Sequence, residues 1–153
     1  MTYKFTIPGA PVTKKNSQKI IMIAGRPSIA PSSQFKNYEK TAMFFLLKRP
    51  NQPIDYPVHI RCTYFMPTRR HVDLTNLLEA TDDILVKAGV IEDDNRNIVG
   101  SHDYSRVYYD KKNPRVEITI TPMHQAYEQW QAGSKAEADT PAPITEFDEE
   151  HWD

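Results

Sequence analysis

Between His71 and Asn97 the chain places seven carboxylates in 27 residues: Asp73, Glu79, Asp82, Asp83, Glu92, Asp93 and Asp94. Arg69, Arg70 and His71 run straight into them. Like charges at this density repel, so the stretch is either a solvated face or a place for cations. Hard divalent cations such as Mg²⁺ take oxygen ligands, usually one or two carboxylates with water and phosphate oxygens completing the shell. In phosphodiester hydrolysis such an ion polarises the phosphate, lowers the pKa of an attacking water and stabilises the leaving oxygen. Carboxylates beside Arg69, Arg70 and the Lys14-Lys15 segment would serve both the metal and the phosphate.

These acids need elements to position them. Apolar spacing predicts a helix from about Thr75 to Ala88, closed by Gly89. Leu77, Thr81, Ile84, Leu85 and Ala88 form its buried side, with Leu78 at the edge, and Asn76, Glu79, Asp83 and Lys87 line the opposite side. Glu79 and Asp83 stand four apart, which costs a helix a few tenths of a kcal/mol unless something neutralises them. Asp73 lies just ahead of the first turn, and Asp93 and Asp94 one short loop past Gly89. If the next strand pairs near the preceding one, Asp73 and Asp94 converge beside the exposed helix face. Asp73, Glu79, Asp83 and Asp94 are then the working acids, with Asp82, Glu92 and Asp93 solvated or supporting. Each also has a plainer reading: Asp73 or Thr75 as a helix N-cap, Asp82 and Asp83 as a solvated face, Asp93-Asp94-Asn95 as a turn.

Elsewhere Tyr3–Ile7 reads as a strand ending at Pro8-Gly9, and Ile20–Ala24 as another, with Gly25-Arg26-Pro27 a turn and Ser28–Ala30 a possible return. Pro31-Ser32-Ser33 starts a helix whose apolar stripe, Phe35, Tyr38, Ala42, Phe45 and Leu46, reaches toward Lys48. Val58, Ile60, Cys62, Tyr64 and Met66 alternate with His59, Arg61, Thr63 and Phe65. Ile98–Tyr109 is strand-like but poorly patterned, and Val116, Ile118 and Ile120 alternate again. The order predicts an α+β fold, a mixed sheet covered by two helices.

At 153 residues with 39% hydrophobic and 25% charged content, the chain suits one soluble domain. Its longest apolar run, Ala42–Leu47, is too short to span a membrane, and Met-Thr-Tyr-Lys opens no signal-peptide apolar region. The single cysteine, Cys62, excludes an internal disulfide and suits the cytoplasm, as a small buried hydrophobe. The net charge of −1 hides an asymmetry: residues 124–153 carry eight acids and one base, leaving 18 bases and 12 acids, or +6, on residues 1–123. A basic body favours a polyanionic partner. Residues 1–123 are expected as the domain and 124–153 as an acidic disordered tail, with a short helix near Ala126–Gln131.

The run Arg69-Arg70-His71-Val72-Asp73-Leu74-Thr75-Asn76-Leu77, then Asp83-Ile84-Leu85, then Gly89-Val90-Ile91-Glu92-Asp93-Asp94, resembles the RusA family of Holliday junction resolvases. Pro8-Gly9-Ala10-Pro11-Val12-Thr13-Lys14-Lys15-Asn16 is similar to the opening of many members. The resemblance covers about residues 4–122 and leaves the acidic tail outside. It implies a small, homodimeric, Mg²⁺-dependent endodeoxyribonuclease of phage or prophage type, with Mn²⁺ as a substitute and branched DNA as substrate. Carried over, Asp73 and Asp94 are metal ligands, and Asn76 and Asp83 match the family's Asn and mid-helix acid. Lys14, Lys15, Asn16, Arg69, Arg70, Lys111 and Lys112 would hold phosphates.

Two positions depart from the pattern. Thr75 stands where the motif has a second acid, and Glu79 where well-known members have a lysine implicated in catalysis. Glu79, one turn along from Thr75, is therefore expected to supply the missing carboxylate, giving Asp73, Glu79 and Asp94 as ligands and Asp73, Asn76, Glu79, Asp83 and Asp94 as the catalytic set. The alternatives are a catalytically weak or inactive junction-binding protein and a regulator acting through its acidic tail.

Overall fold

The computed structural model describes residues 1–15 and 18–124. Asn16, the acidic segment and the helix expected near Ala126–Gln131 lie outside the described residues.

Alternation makes the central element. β4 (Val58–Met66) buries Val58, Ile60, Cys62 and Tyr64 and turns His59, Arg61, Thr63 and Phe65 to the other face. β7 (Arg115–Pro122) pairs antiparallel along it, from Val58 opposite Pro122 to Phe65 opposite Arg115. β1 (Tyr3–Pro8) pairs antiparallel with the far side of β7. On its other side β4 has two short parallel partners in succession: β5 (Val99–Ser101) at Val58–His59 and β6 (Arg106–Tyr109) at Thr63–Met66.

The strand-like run Ile98–Tyr109 is thus two strands, parted by a turn in which Tyr104 has φ of 62°. Side chains replace the missing ladder there. Cys62 N–H donates to Ser105 Oγ at 3.0 Å, and His102 Nδ1 donates to the Ile60 carbonyl at 2.9 Å. Backbone groups capped by polar side chains, rather than by a third strand, explain the poor alternation.

β2 (Gln18–Ile23) and β3 (Arg26–Pro31) form a separate hairpin. Its turn is tighter than the Gly25–Pro27 turn expected, because Ala24 and Gly25, at φ of 51° and 77°, supply both central residues. Pro27 sits inside β3, which a two-stranded sheet tolerates because both its strands are edges.

Two helices cover one face of the main sheet. α1 (Ser33–Phe45) begins at Ser32, whose hydroxyl accepts from Phe35 N–H at 3.2 Å, and buries Phe35 and Ala42. It stops short of Lys48, and Phe45, expected in the buried stripe, is exposed while Leu46 is buried. α2 (Leu74–Lys87) buries Leu77, Ala80, Thr81, Ile84 and Leu85 against β4 and β7 core residues such as Tyr64 and Ile118. Thr81 donates to the Leu77 carbonyl at 3.0 Å, so the Tyr64 hydroxyl donates to Thr81 at 2.7 Å, and both buried hydroxyls are satisfied. Cys62 is a buried core residue, and burial pushes its thiol up to about 12. This is the expected α+β arrangement of a mixed sheet with two helices, with one strand more than expected. Among the described residues no helix is long and apolar enough to cross a membrane.

Candidate active site

The acids of α2 sit on two faces. Asp73 occupies the N-cap position with extended φ and ψ of −82° and 121°, but its carboxylate makes no cap bond. Instead it accepts from Asn76 Nδ2 at 3.2 Å and stays exposed at the positive end of the helix. The N-cap reading holds for the backbone of Asp73 and fails for its side chain. Thr75 is exposed beside it.

The cations that answer Glu79 and Asp83 come from the connection after β1. Gly9, at φ of 98°, turns the chain off that strand and donates its N–H to the Pro114 carbonyl at 2.9 Å. Pro11 and Thr13 are buried, which fixes the segment that follows. Lys15 Nζ then lies 2.9 Å from Glu79 Oε2, and Lys14 Nζ lies 3.2 Å from Asp83 Oδ2. The repulsion expected between two acids one turn apart is relieved by two adjacent lysines.

Asp94 arrives on an anchored loop. Gly89, at φ of 72°, ends α2, and Val90 N–H donates to the Leu85 carbonyl at 2.9 Å. Ile54 then clamps the chain, donating to the Val90 carbonyl at 3.0 Å and accepting from Glu92 N–H at 2.9 Å. Asp93 accepts from Asp94 N–H and from Asn95 Nδ2, each at 2.8 Å, which holds its carboxyl below the usual range. Asp94 is shifted the other way, by desolvation, by its contact with Asp93 and by the negative charges of Asp83 and Asp93. A loop acid and a helix acid therefore lie within electrostatic reach of each other. Asp73, Glu79 and Asp94 are not drawn into one group: among the described residues no three His, Cys, Asp or Glu side chains stand at metal-holding spacing. Asp73 is turned to Asn76, and Glu79 to Lys15.

Asp82, expected to be solvated or supporting, is buried, at 8% exposure. Its Oδ2 lies 2.7 Å from His102 Nε2, and its Oδ1 is buried with no hydrogen-bond partner among the described residues. Burial opposes a charged imidazole, but the hydrogen bond and charge of Asp82, helped by the Ile60 carbonyl, raise the His102 pKa. The Ile60 carbonyl can only accept, so His102 Nδ1 carries a proton and a second proton is held between Nε2 and Asp82. The wheel leaves Asp82 outside the buried side, and only the fold encloses it and brings His102 to it.

Of the expected phosphate-holding residues, Lys14 and Lys15 lie against the helix acids, and the other four described cations leave the sheet at one end. Met66 and Tyr109 are paired last residues of β4 and β6, so Arg69-Arg70 and Lys111-Lys112 leave the sheet at the end where the chain enters α2 through Asp73. The Arg69 guanidinium lies 4.4 Å from the centroid of the Tyr109 ring. All four cations are exposed, and among the described residues none forms an ion pair. A groove of about 710 Å³ between α1 and α2 is lined by Lys14, Lys36, Lys40, Asp83 and Lys87, among others. The sequence reading passes over Lys36 and Lys40, although their i, i+4 spacing already put them on one face of α1.

Residues 8–121 match a family model described as Endodeoxyribonuclease RusA. The chain is 33% identical over 123 residues to the crossover junction endodeoxyribonuclease RusA of Enterobacteria phage 82, covering 80% of this chain and 96% of the relative. It is 32% identical over 123 residues to the protein of that name from Escherichia coli (strain K12), with the same coverage. To that of Aquifex aeolicus (strain VF5) it is 34% identical over 88 residues, 57% of this chain and 68% of the relative. The matched span holds Asp73, Glu79, Asp83, Asp94 and both lysines that answer the helix acids, and it stops short of the acidic segment. The chain belongs to the RusA family of endodeoxyribonucleases.

Proposed function

We propose that this chain is a divalent-cation-dependent endonuclease that resolves four-way (Holliday) junctions and related branched DNA in recombination and repair, acting as a homodimer with Mg²⁺ or, in its place, Mn²⁺. The observation that carries the reading is the pair of outward acids on α2, Glu79 and Asp83, each met by one of two adjacent lysines, Lys15 and Lys14. The relatives' names, crossover junction endodeoxyribonuclease, supply the substrate class.

The chemistry of the donors fits the ion, since they are carboxylate oxygens, the ligands hard divalent cations take, while their side chains would have to turn toward one another to share it. Asp83 and Glu79 are at present matched by lysines and Asp73 by an amide N–H, groups a metal ion can replace. Asp73 and Asp94, with Glu79 or Asp83, would hold it. When bound, the ion supplies a polarised phosphate and an acidified water. Asn76 orients the Asp73 carboxylate. Lys14 and Lys15, released from the acids, would face the incoming phosphate, while Asn16, Arg69, Arg70, Lys111 and Lys112 would position the strand. A four-way junction has two scissile strands related by a two-fold axis, which a C₂ dimer matches with two sites.

The test is cleavage of an end-labelled four-way junction with Mg²⁺ or Mn²⁺. The native chain is expected to cut it, and Asp73→Asn to abolish cutting. A junction left intact under conditions where a relative cuts it sinks the reading. One observation favours a second reading, a junction-binding protein without catalysis: Thr75 replaces an acid of the motif. That reading requires an inactive native chain, so any cleavage lost in Asp73→Asn eliminates it.

A further inference from the structure

We propose that Tyr109, with Arg69 laid across its ring, is a stacking site for an unpaired base of branched DNA; this deepens the junction reading by naming the feature of the substrate that is recognised. β6 is an edge strand whose four residues are all exposed, Tyr108 at 46% and Tyr109 at 43%. Edge strands are ordinarily blunted by charge, and two adjacent exposed tyrosines are a departure. Neighbouring strand residues point to opposite faces, and the two rings meet different company.

Tyr108 stacks on Phe65 with centroids 5.6 Å apart, and the Arg115 guanidinium caps Phe65 at 3.8 Å. Arg115 is neutralised in turn by Asp110 and Glu117, so that stack is complete within the fold. Tyr109 lies beside Met66 on the helix-covered side, and its cation, Arg69, has no carboxylate partner among the described residues. The result is a half-exposed π surface with an uncompensated cation. Around it, residues 65–70 and 104–117 carry six bases and two acids, a local +4.

Nucleobases stack on aromatic rings whatever their sequence, and arginine adds a cation–π contribution while neighbouring cations hold the backbone. Phosphate contacts fix register and orientation on the strand. A ring adds discrimination, because a branch point or a single strand offers an unstacked base and a linear duplex does not. The competing role for the pair is a clip that anchors the connection between Met66 and Asp73.

The experiment uses the full chain with Ca²⁺ in place of Mg²⁺. Affinities are measured by fluorescence anisotropy for a four-way junction, a single strand and a linear duplex, with a fluorescent adenine analogue at the exchange point or mid-strand. Tyr109→Ala is expected to weaken junction and single-strand binding about 10-fold and duplex binding by less than about twofold, with the salt slope unchanged. Analogue quenching should disappear in Tyr109→Ala and persist in Tyr109→Trp. Tyr109→Leu makes the same comparison if the alanine variant does not fold. Unchanged junction and single-strand binding overturns the proposal. So does an equal loss on all three DNAs with a lowered melting temperature, which is the outcome the clip predicts. A native chain that quenches the single strand through Tyr109 but neither prefers nor cuts the junction sinks the junction reading and leaves the stacking site standing.

Discussion

Asp82 faces the interior from α2 with His102 Nε2 at 2.7 Å, while Asp83, the next residue, faces outward with Lys14 Nζ at 3.2 Å. Two identical side chains, one helical step apart, thus belong to different kinds of site. Asp82 is enclosed, its partner is fixed by a second hydrogen bond to the Ile60 carbonyl, and that partner links α2 to the break between β5 and β6. Asp83 is a third exposed, and its lysine comes from a connection that holds no strand. A buried ionic contact is costly to break, whereas a part-exposed lysine pair is worth little and exchanges readily. The comparison teaches that one acid of the dipeptide ties the helix to the sheet while the other is left accessible on its outer face.

The largest expected effect separates the two by activity. Asp83→Asn and Asp94→Asn should each lower metal-dependent junction cleavage by at least about 100-fold with little change in melting temperature. Asp82→Asn should do the opposite, losing stability first and activity only in proportion to the folded fraction. A cleavage assay beside a thermal melt reads both, and a stable but inactive Asp82→Asn would erase the distinction.

Next in size is the anchor itself. His102→Ala leaves a buried carboxylate and a strand carbonyl without their partner, and should cost about 3 kcal/mol in urea unfolding. Lys14→Ala, measured the same way, should cost less than about 1 kcal/mol. Equal losses would mean that exposure does not separate the two pairs.

Much of this arrangement was written locally. The alternation of Val58 to Met66 and the apolar arc of Leu77, Thr81, Ile84 and Leu85 each depend on neighbours within one element, and the fold keeps both. The line Asn76, Glu79, Asp83 was visible for the same reason, and so was the need for something to neutralise it. Which cations would do so was not visible. Arg69 and Arg70 are nearest in sequence, yet Arg69 lies on Tyr109, and the answering charges come from Lys14 and Lys15 across the sheet. The His102–Asp82 contact was hidden for a related reason. His102 and Ser105 replace a broken ladder, so their segment lacks the period that marks a strand.

pH sharpens the comparison further. The folded-state pKa of His102 is raised above its unfolded value, so its stabilisation is fully present below the unfolded value near ~6.5 and is lost as pH rises through the folded one. Burial likewise raises the Asp82 carboxyl, with the same sign. The stability gap between native protein and His102→Gln should therefore be widest in mild acid and narrow toward alkaline pH. Urea unfolding across that range checks it, and a gap that widens with pH would reverse the assignment.

The smallest effect probes the outward acid directly. A cation arriving at Asp83 must displace Lys14, so removing that ammonium should ease its entry. Lys14→Met is expected to tighten Mn²⁺ binding by roughly 1.5- to 5-fold, the range that 0.2–1 kcal/mol of an exposed pair allows. Titration of the full chain followed by Mn²⁺ electron paramagnetic resonance reads this without any turnover. Tighter binding together with slower cleavage would show that Lys14 holds the acid apart when the site is empty and serves the phosphate once the ion is in place. Weaker binding would mean that the lysine organises the carboxylates instead, and Asp83 would then be as fixed as its neighbour.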